Sequence, residues 1–179
     1  MITLLMLGDS LVEWGDWRKH LPEVVVVNRG IAGEMTEELS VRLMDEIEAC
    51  PNPDVVLLQS GTNNLLMGYM IFPAIYITML QRLRLCYPGV PLIVNSLMPM
   101  PIVAAHDVEE VNQALAEAAA ATENCHFLDT VGPFHERCLP ITHPGFLNDQ
   151  VHLSTRGYQV WAATIKGLLL ELFPGQVAG

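Results

Sequence analysis

The stretch Ile2 to Leu11, ITLLMLGDSL, decides the fold, because an unbroken apolar run ends here at a glycine and a polar turn. The run Thr3–Leu7 is too short for a typical helix and does not alternate between apolar and polar residues. Such a run is typical of a strand buried on both faces of a parallel sheet. Further short apolar runs predict four more strands, at Val24–Val27, Val55–Leu58, Leu92–Val94 and His126–Leu128.

Helical periodicity separates these strands. Apolar residues recur every third or fourth position at Met35–Ile47, Val108–Leu115 and Tyr158–Leu172, the last behind the candidate caps Ser154 and Thr155. The alternation predicts one α/β domain over 1–179, a three-layer α/β/α fold with a five-stranded parallel, flavodoxin-like sheet of order 2-1-3-4-5. The segments 96–105 and 129–151 lack this periodicity, and we predict that they are functional loops.

The composition narrows the classes of function. The 179 residues carry a net charge of −11, yet 51% of them are hydrophobic. This hydrophobicity excludes a disordered chain, and nine Lys and Arg residues supply no basic surface for nucleic acid or an anionic membrane. We interpret the acidic stretches Glu34–Glu48 and Asp107–Glu123 as solvated helix faces.

The sequence favours a cytoplasmic location. The apolar run at the start has no positively charged segment before it, so we expect no signal peptide. The uncharged stretch 65–80 contains Gly68 and Pro73 and is shorter than the roughly 20 apolar residues of a membrane-spanning helix. The cysteines form no C-x-x-C pair, and we interpret all four as free buried thiols: Cys50, Cys86, Cys125 and Cys138.

Residues with chemical potential follow the first three strands. Ser10 is either a helix cap or a nucleophile. Gly33, which ends the sequence N-R-G-I-A-G, makes a tight turn or points its N–H at an oxyanion. Asn63 in G-T-N-N is either a turn former or an amide donor to an oxyanion.

Asp149 and His152 lie three apart before the last helix. A carboxylate bonded to Nδ1 of a histidine fixes its tautomer and leaves Nε2 as a base. A metal pair is the alternative. It is disfavoured because no H-E-x-x-H occurs and the remaining histidines show no ligand spacing: His20, His106, His126, His135 and His143.

The predicted strand order makes these signals coincide. Strands two, one and three are neighbours in a 2-1-3-4-5 sheet, and ligands bind beyond the carboxyl ends of such strands. The turns that carry Gly33, Ser10 and Asn63 would then lie side by side. A loop with Asp149 and His152 closing over them would complete a site for nucleophilic catalysis.

Four motifs resemble the blocks of the SGNH (GDSL) hydrolases: G-D-S-L at 8–11, N-R-G-I-A-G at 28–33, G-T-N-N at 61–64 and D-Q-V-H at 149–152. The chain looks most like the branch that includes the catalytic subunits of intracellular platelet-activating-factor acetylhydrolase. The resemblance implies a serine ester hydrolase that needs no cofactor or metal.

The same resemblance implies roles for individual residues. Ser10 would be the nucleophile, His152 the base and Asp149 its orienting partner. The backbone N–H groups of Ser10 and Gly33, with the Asn63 side chain, would form the oxyanion hole. Asp9 would be a structural partner of the turn.

Substrate and partners are left open by the apolar segment that follows G-T-N-N. Residues 65–72 are interpreted as core, as an acyl-binding wall, or, with the rest of 65–80, as a homo-oligomer interface. The alternatives to a small-molecule ester hydrolase are a carbohydrate O-deacetylase and a non-catalytic ligand-binding module. Trp161 fits a buried helix face, whereas Trp14 and Trp17 could pack the first helix or line the rim of the site.

Overall fold

Five parallel strands form one sheet in the order β2-β1-β3-β4-β5, as predicted. The computed structural model describes residues 1–139 and 144–177. Its strands are β1 (Thr3–Gly8), β2 (Val25–Gly30), β3 (Val55–Gln59), β4 (Leu92–Asn95) and β5 (Cys125–Leu128). Gly8 of β1 pairs with Gly30 of β2 and with Gln59 of β3, so these three strands end side by side.

Helices cover both faces of the sheet. They are α1 (Ser10–Glu13), α2 (Trp17–His20), α3 (Thr36–Ala49), α4 (Thr62–Leu66), α5 (Pro73–Cys86), α6 (Ala105–Ala120), α7 (Val131–Arg137) and α8 (Thr155–Leu172). Helix α5 packs against α3 and α6, while α8 packs against α2 and α7. Trp161 of α8 is fully buried, as expected, and its Nε1 donates to Oδ1 of Asn95 at 2.8 Å. None of the helices described is both long and apolar enough to cross a bilayer.

The prediction for 129–151 is wrong in part, because α7 lies inside this segment. A seven-residue helix shows too few turns to display a period. Phe134 anchors it, being fully buried with its ring centroid 5.8 Å from that of Phe146. Residues 140–143 of the predicted loop lie outside the described residues, whereas the loop from Ser96 to α6 is free of helix and strand, as expected.

Not all of the acidic helix face is solvated. Glu34 and Glu46 are buried, and Arg42 binds Oε2 of Glu34 through Nη2 and Oε1 of Glu46 through Nη1, both at 2.7 Å. Arg29 also pairs with Glu46. Pairing with arginine compensates these carboxylates for the loss of water. The cysteines are all free, but only Cys50 and Cys138 are buried: Cys125 is half-buried and Cys86 is exposed, contrary to expectation.

The turn after β1 is built on a buried carboxyl group. Asp9 is fully buried and caps α1, with its Oδ1 accepting the Leu11 N–H at 3.0 Å. Burial raises the pKa of Asp9 to about 6, although the Leu11 N–H acts in the opposite direction. The folded chain therefore holds a proton on Asp9 at a pH at which the unfolded chain has released it.

Replacing this carboxyl group should alter the pH dependence of stability. A raised pKa means that stability is lost as pH rises from about 4 to about 6, on the order of 3 kcal/mol in total. Asp9→Asn keeps an oxygen acceptor for Leu11 and removes the charge. Urea unfolding should show this variant to be more stable than the parent at pH 7.5, with the advantage shrinking towards pH 4. An advantage that is the same at both pH values would contradict the burial argument.

Candidate active site

Ser10 is the first residue of α1 and has a free role for its hydroxyl group. The interpretation of Ser10 as the helix cap is wrong, because Asp9 is the cap. Instead, Ser10 Oγ lies 3.1 Å from Nε2 of His152, across 142 positions of the chain. Ser10 is only 5% exposed, so this hydroxyl is shielded from bulk water.

Asp149 holds the other side of the His152 ring. Its Oδ2 lies 2.7 Å from Nδ1 of His152, and its Oδ1 accepts the N–H groups of Val151 and His152, each at 3.0 Å. The hydrogen bond from the imidazole, aided by the backbone donors, lowers the pKa of Asp149 to about 2. Asp149 is therefore ionised at neutral pH, and Ser10, His152 and Asp149 form one continuous hydrogen-bonded chain.

The loop that carries His152 is tied to the body of the domain. The Leu147 N–H donates to the His152 carbonyl at 2.7 Å, and Phe146 makes a β-bridge with Leu153. Ser154 caps α8, accepting the Gly157 N–H at 3.2 Å, which settles the choice between the two candidate caps. Tyr158 of α8 then donates its hydroxyl to the Leu11 carbonyl at 3.0 Å, linking α8 directly to α1.

Two backbone N–H groups near the serine have no acceptor. Neither the Ser10 N–H nor the Gly33 N–H makes a hydrogen bond to any part of 1–139 or 144–177. Gly33 is exposed and has φ +80°, which orients its N–H differently from that of an ordinary strand residue. The turn before it is attached to the serine helix, since the Ala32 N–H donates to Oε2 of Glu13 at 3.0 Å.

Asn63 connects the third turn to the second. Its Nδ2 donates to the Glu34 carbonyl at 2.9 Å, next to Gly33, and the second hydrogen on that nitrogen stays available. The Glu34 carboxylate is in turn bound by Arg42. Sequence reasoning missed this support, because nothing in the local sequence shows that an arginine on α3 reaches back to its own N-terminal turn.

Asn64 is also structural, although G-T-N-N offers it as an equal candidate for catalysis. It is fully buried, its Oδ1 accepts the Thr36 N–H at 2.9 Å, and its Nδ2 donates to Glu37 at 2.7 Å. All of its functional groups are therefore occupied in holding α4 against the start of α3. Only Asn63 of this pair retains a donor for a ligand.

Trp14 lies against the histidine, a contact that the sequence left open. The indole and imidazole rings stack, with centroids 4.2 Å apart and planes 25° apart. Trp17, by contrast, is buried and meets Trp161 edge-on at 4.9 Å. The two tryptophans thus divide the alternatives, with Trp14 lining the rim and Trp17 packing the helices.

The metal interpretation of Asp149 and His152 finds no support in the geometry. Both ring nitrogens of His152 are engaged by Ser10 and Asp149. Over the part of the chain that the structure describes, no three His, Cys, Asp or Glu side chains form a group able to hold a metal ion. His143 lies outside that part.

Known proteins share both the sequence and the fold. The chain is 29% identical over 182 residues to the human platelet-activating factor acetylhydrolase IB subunit alpha1, covering 94% of this chain and 76% of that protein. The corresponding rat subunit is 28% identical over 177 residues, covering 94% and 75%.

Solved structures of carbohydrate esterases superpose over the whole domain. A family 3 carbohydrate esterase from Clostridium thermocellum gives a TM-score of 0.80 at 18% identity, covering 99% of both chains. Axe2, an acetyl-xylooligosaccharide esterase from Geobacillus, gives 0.77 at 20% identity, covering 99% of this chain and 97% of that one. Other structures of Axe2 carry catalytic mutations of a serine, an aspartate and a histidine.

A family model accounts for most of the sequence. Residues 6–160 match the model of the GDSL-like lipase/acylhydrolase family, a range that includes Ser10, Gly33, Asn63, Asp149 and His152. The match agrees with the family predicted from the four motifs. The chain therefore belongs to the GDSL-like lipase/acylhydrolase family.

Proposed function

We propose that this protein hydrolyses carboxylic esters, with Ser10 as nucleophile, His152 as general base and Asp149 as the group that orients the imidazole. The continuous hydrogen-bonded chain Ser10–His152–Asp149 carries this proposal. The catalytic mutants of Axe2 add support, because the aspartate and histidine replaced there have the same spacing as Asp149 and His152.

The geometry supports acyl transfer in two halves. His152 Nε2 takes the Ser10 proton while Oγ bonds to the ester carbonyl carbon, and the protonated imidazole then gives that proton to the leaving alcohol. Water attacks the acyl-serine in the second half, again losing its proton to Nε2, and the acid leaves as Ser10 recovers its hydrogen. Ionised Asp149 stabilises the imidazolium in both halves.

An oxyanion hole is supported by the available donors. The N–H groups of Ser10 and Gly33 have no acceptor in the described chain, and Asn63 retains one amide hydrogen. Donors that are fixed before the reaction stabilise the charge that develops on the carbonyl oxygen. The bond between Asn63 and the Glu34 carbonyl keeps the amide next to the Gly33 turn.

The segment 65–80 divides between two of its interpretations. Leu65, Phe72 and Tyr76 are buried in the core. Met67 and Ile71 are 66% and 86% exposed. We propose that an acyl chain passes over Met67, close in sequence to Asn63, and that the outer residues of the segment serve a homo-oligomer in a cytoplasmic location. The free cysteines favour that location.

A carbohydrate O-deacetylase is the second candidate. Trp14 is 53% exposed and borders His152, and an indole face beside the reacting centre suits stacking on a sugar ring. The fold of the two carbohydrate esterases is compatible with this candidate. Acetylated xylo-oligosaccharides and alkyl acetates assayed side by side distinguish the two.

Ser10→Ala should abolish hydrolysis of p-nitrophenyl acetate and leave the melting temperature nearly unchanged, because only a hydroxyl group is lost from a site already 5% exposed. A fluorophosphonate probe should label the parent and not the variant, since only an activated serine reacts. Absence of labelling in the folded parent would instead favour a non-catalytic ligand-binding module. Full activity in the variant would show that Ser10 is not the nucleophile.

Asn63→Ala should lower kcat by about 10²–10³ with little change in KM, because the donor acts on charge that exists only in the transition state. Asn63→Asp, which has a similar size but no amide donor, should be slow as well. Thermal unfolding of both variants serves as the control for a displaced Gly33 turn. Retention of the parental kcat by a folded variant would exclude Asn63 from the oxyanion hole.

The acyl-wall interpretation predicts that p-nitrophenyl octanoate is cleaved faster than the acetate. Met67→Ser should remove this preference by exposing a polar group along the path of the chain. Val41→Ser is the control, since Val41 is an exposed aliphatic residue on α3, away from the strand ends. If acetate is the faster substrate of the parent, the acyl-wall interpretation is wrong.

A further inference from the structure

Trp14 and Ser10 belong to the same turn of helix. The Trp14 N–H donates to the Ser10 carbonyl at 3.0 Å, so the two side chains lie one helical turn apart on the same side of α1. Both reach His152, the serine through Nε2 and the indole through the ring face. The imidazole is therefore held at three places: Nδ1, Nε2 and one face.

We infer that Trp14 is a positioning residue, whose indole holds the plane of the His152 ring towards Ser10 and stabilises the imidazolium that forms during ester cleavage. This inference rests on the proposed role of His152 as the base. An indole face attracts a cation more strongly than it attracts a neutral ring, so the stack is tighter after proton transfer than before it. That difference is what favours the transition state.

The rest of the surroundings do not supply the same effect. Asp149 faces Nδ1, and the carboxyl group of Asp9 acts on His152 from behind Ser10. Glu13, on the same short helix, directs its carboxylate to the Ala32 N–H. Among the aromatic pairs within residues 1–139 and 144–177, Trp14 is the one partner of the His152 ring.

The site geometry also explains why a stack is needed here. His152 belongs to a loop rather than to a helix or strand, and its side chain is 24% exposed. Asp149 fixes Nδ1 but leaves rotation about that hydrogen bond open. The indole face removes this rotation and keeps water from one side of the ring.

Fluorescence tests the contact without any turnover. In Ser10→Ala, Trp14 emission should fall as the pH is lowered through the titration of His152, because a protonated imidazole in contact with indole quenches it. The change should disappear when Trp14→Phe or His152→Gln is added. Trp17 and Trp161 are buried and remain in every variant as the background. A pH-dependent change that survives both additions overturns the inference.

Kinetics test the role. Trp14→Leu should lower kcat on p-nitrophenyl acetate by about two- to fivefold and move the acidic limb of the pH–rate profile to lower pH by about half a unit. Trp14→Phe should lie between Leu and the parent. Met44→Ala, a similarly exposed apolar residue on α3, is the control. A rise in KM alone, with kcat and the acidic limb unchanged, would show a substrate contact instead and overturn the inference.

The two assays also separate the failure of this inference from that of the proposed function. A parent that hydrolyses no ester refutes the proposed function and, with it, the role of Trp14, whatever the fluorescence shows. An active parent whose Trp14→Leu variant keeps its kcat and its acidic limb refutes the role of Trp14 alone.

Discussion

The carboxyl end of β1 lies so close to its neighbours that positions 8 and 30 have no room for a side chain. A Cβ atom on Gly8 would lie 2.1 Å from the Gln59 carbonyl oxygen, and one on Gly30 would lie 2.3 Å from the Glu13 nitrogen. These two contacts bring the ends of β1, β2 and β3 against the short helix α1. Every donor of the site is on a turn that leaves this point, so their common position depends on it.

This close packing explains why the fold and much of the site were predictable. Strands buried on both faces must be apolar throughout, and the order 2-1-3-4-5 follows from their alternation with helices. Ser10, Gly33 and Asn63 directly follow strands, which made them visible as candidates. Trp14 could not be assigned in the same way, because its partner is on a loop far along the chain and only the closed fold brings them together. Glu34 and Glu46 were misjudged for the same reason, since their arginine partners are visible only in three dimensions.

The two aspartates of the site show how burial and partners set the state of a carboxyl group. Asp9 is completely buried, and the cost of charging it raises its pKa to about 6. Asp149 is half-exposed and receives three hydrogen bonds, which lower its pKa to about 2. A charge beside the imidazole is useful only if it persists during turnover, and Asp149 meets that condition. Asp9 serves a different need, because a cap inside the protein must accept a backbone N–H whether or not it is ionised.

Helix α1 is the element on which the nucleophile and the histidine converge. It is only four residues long, which is far below the length at which a helix is stable alone. Its order therefore comes from tertiary contacts: Trp17 and Asn28 donate to the Val12 carbonyl, and Tyr158 donates to the Leu11 carbonyl. Since Tyr158 is on the helix that follows the His152 loop, one contact fixes the helix of the nucleophile relative to the element that carries the base. The distance from Ser10 to His152 is thus set by packing around α1, and the stack with Trp14 extends that packing onto the imidazole itself.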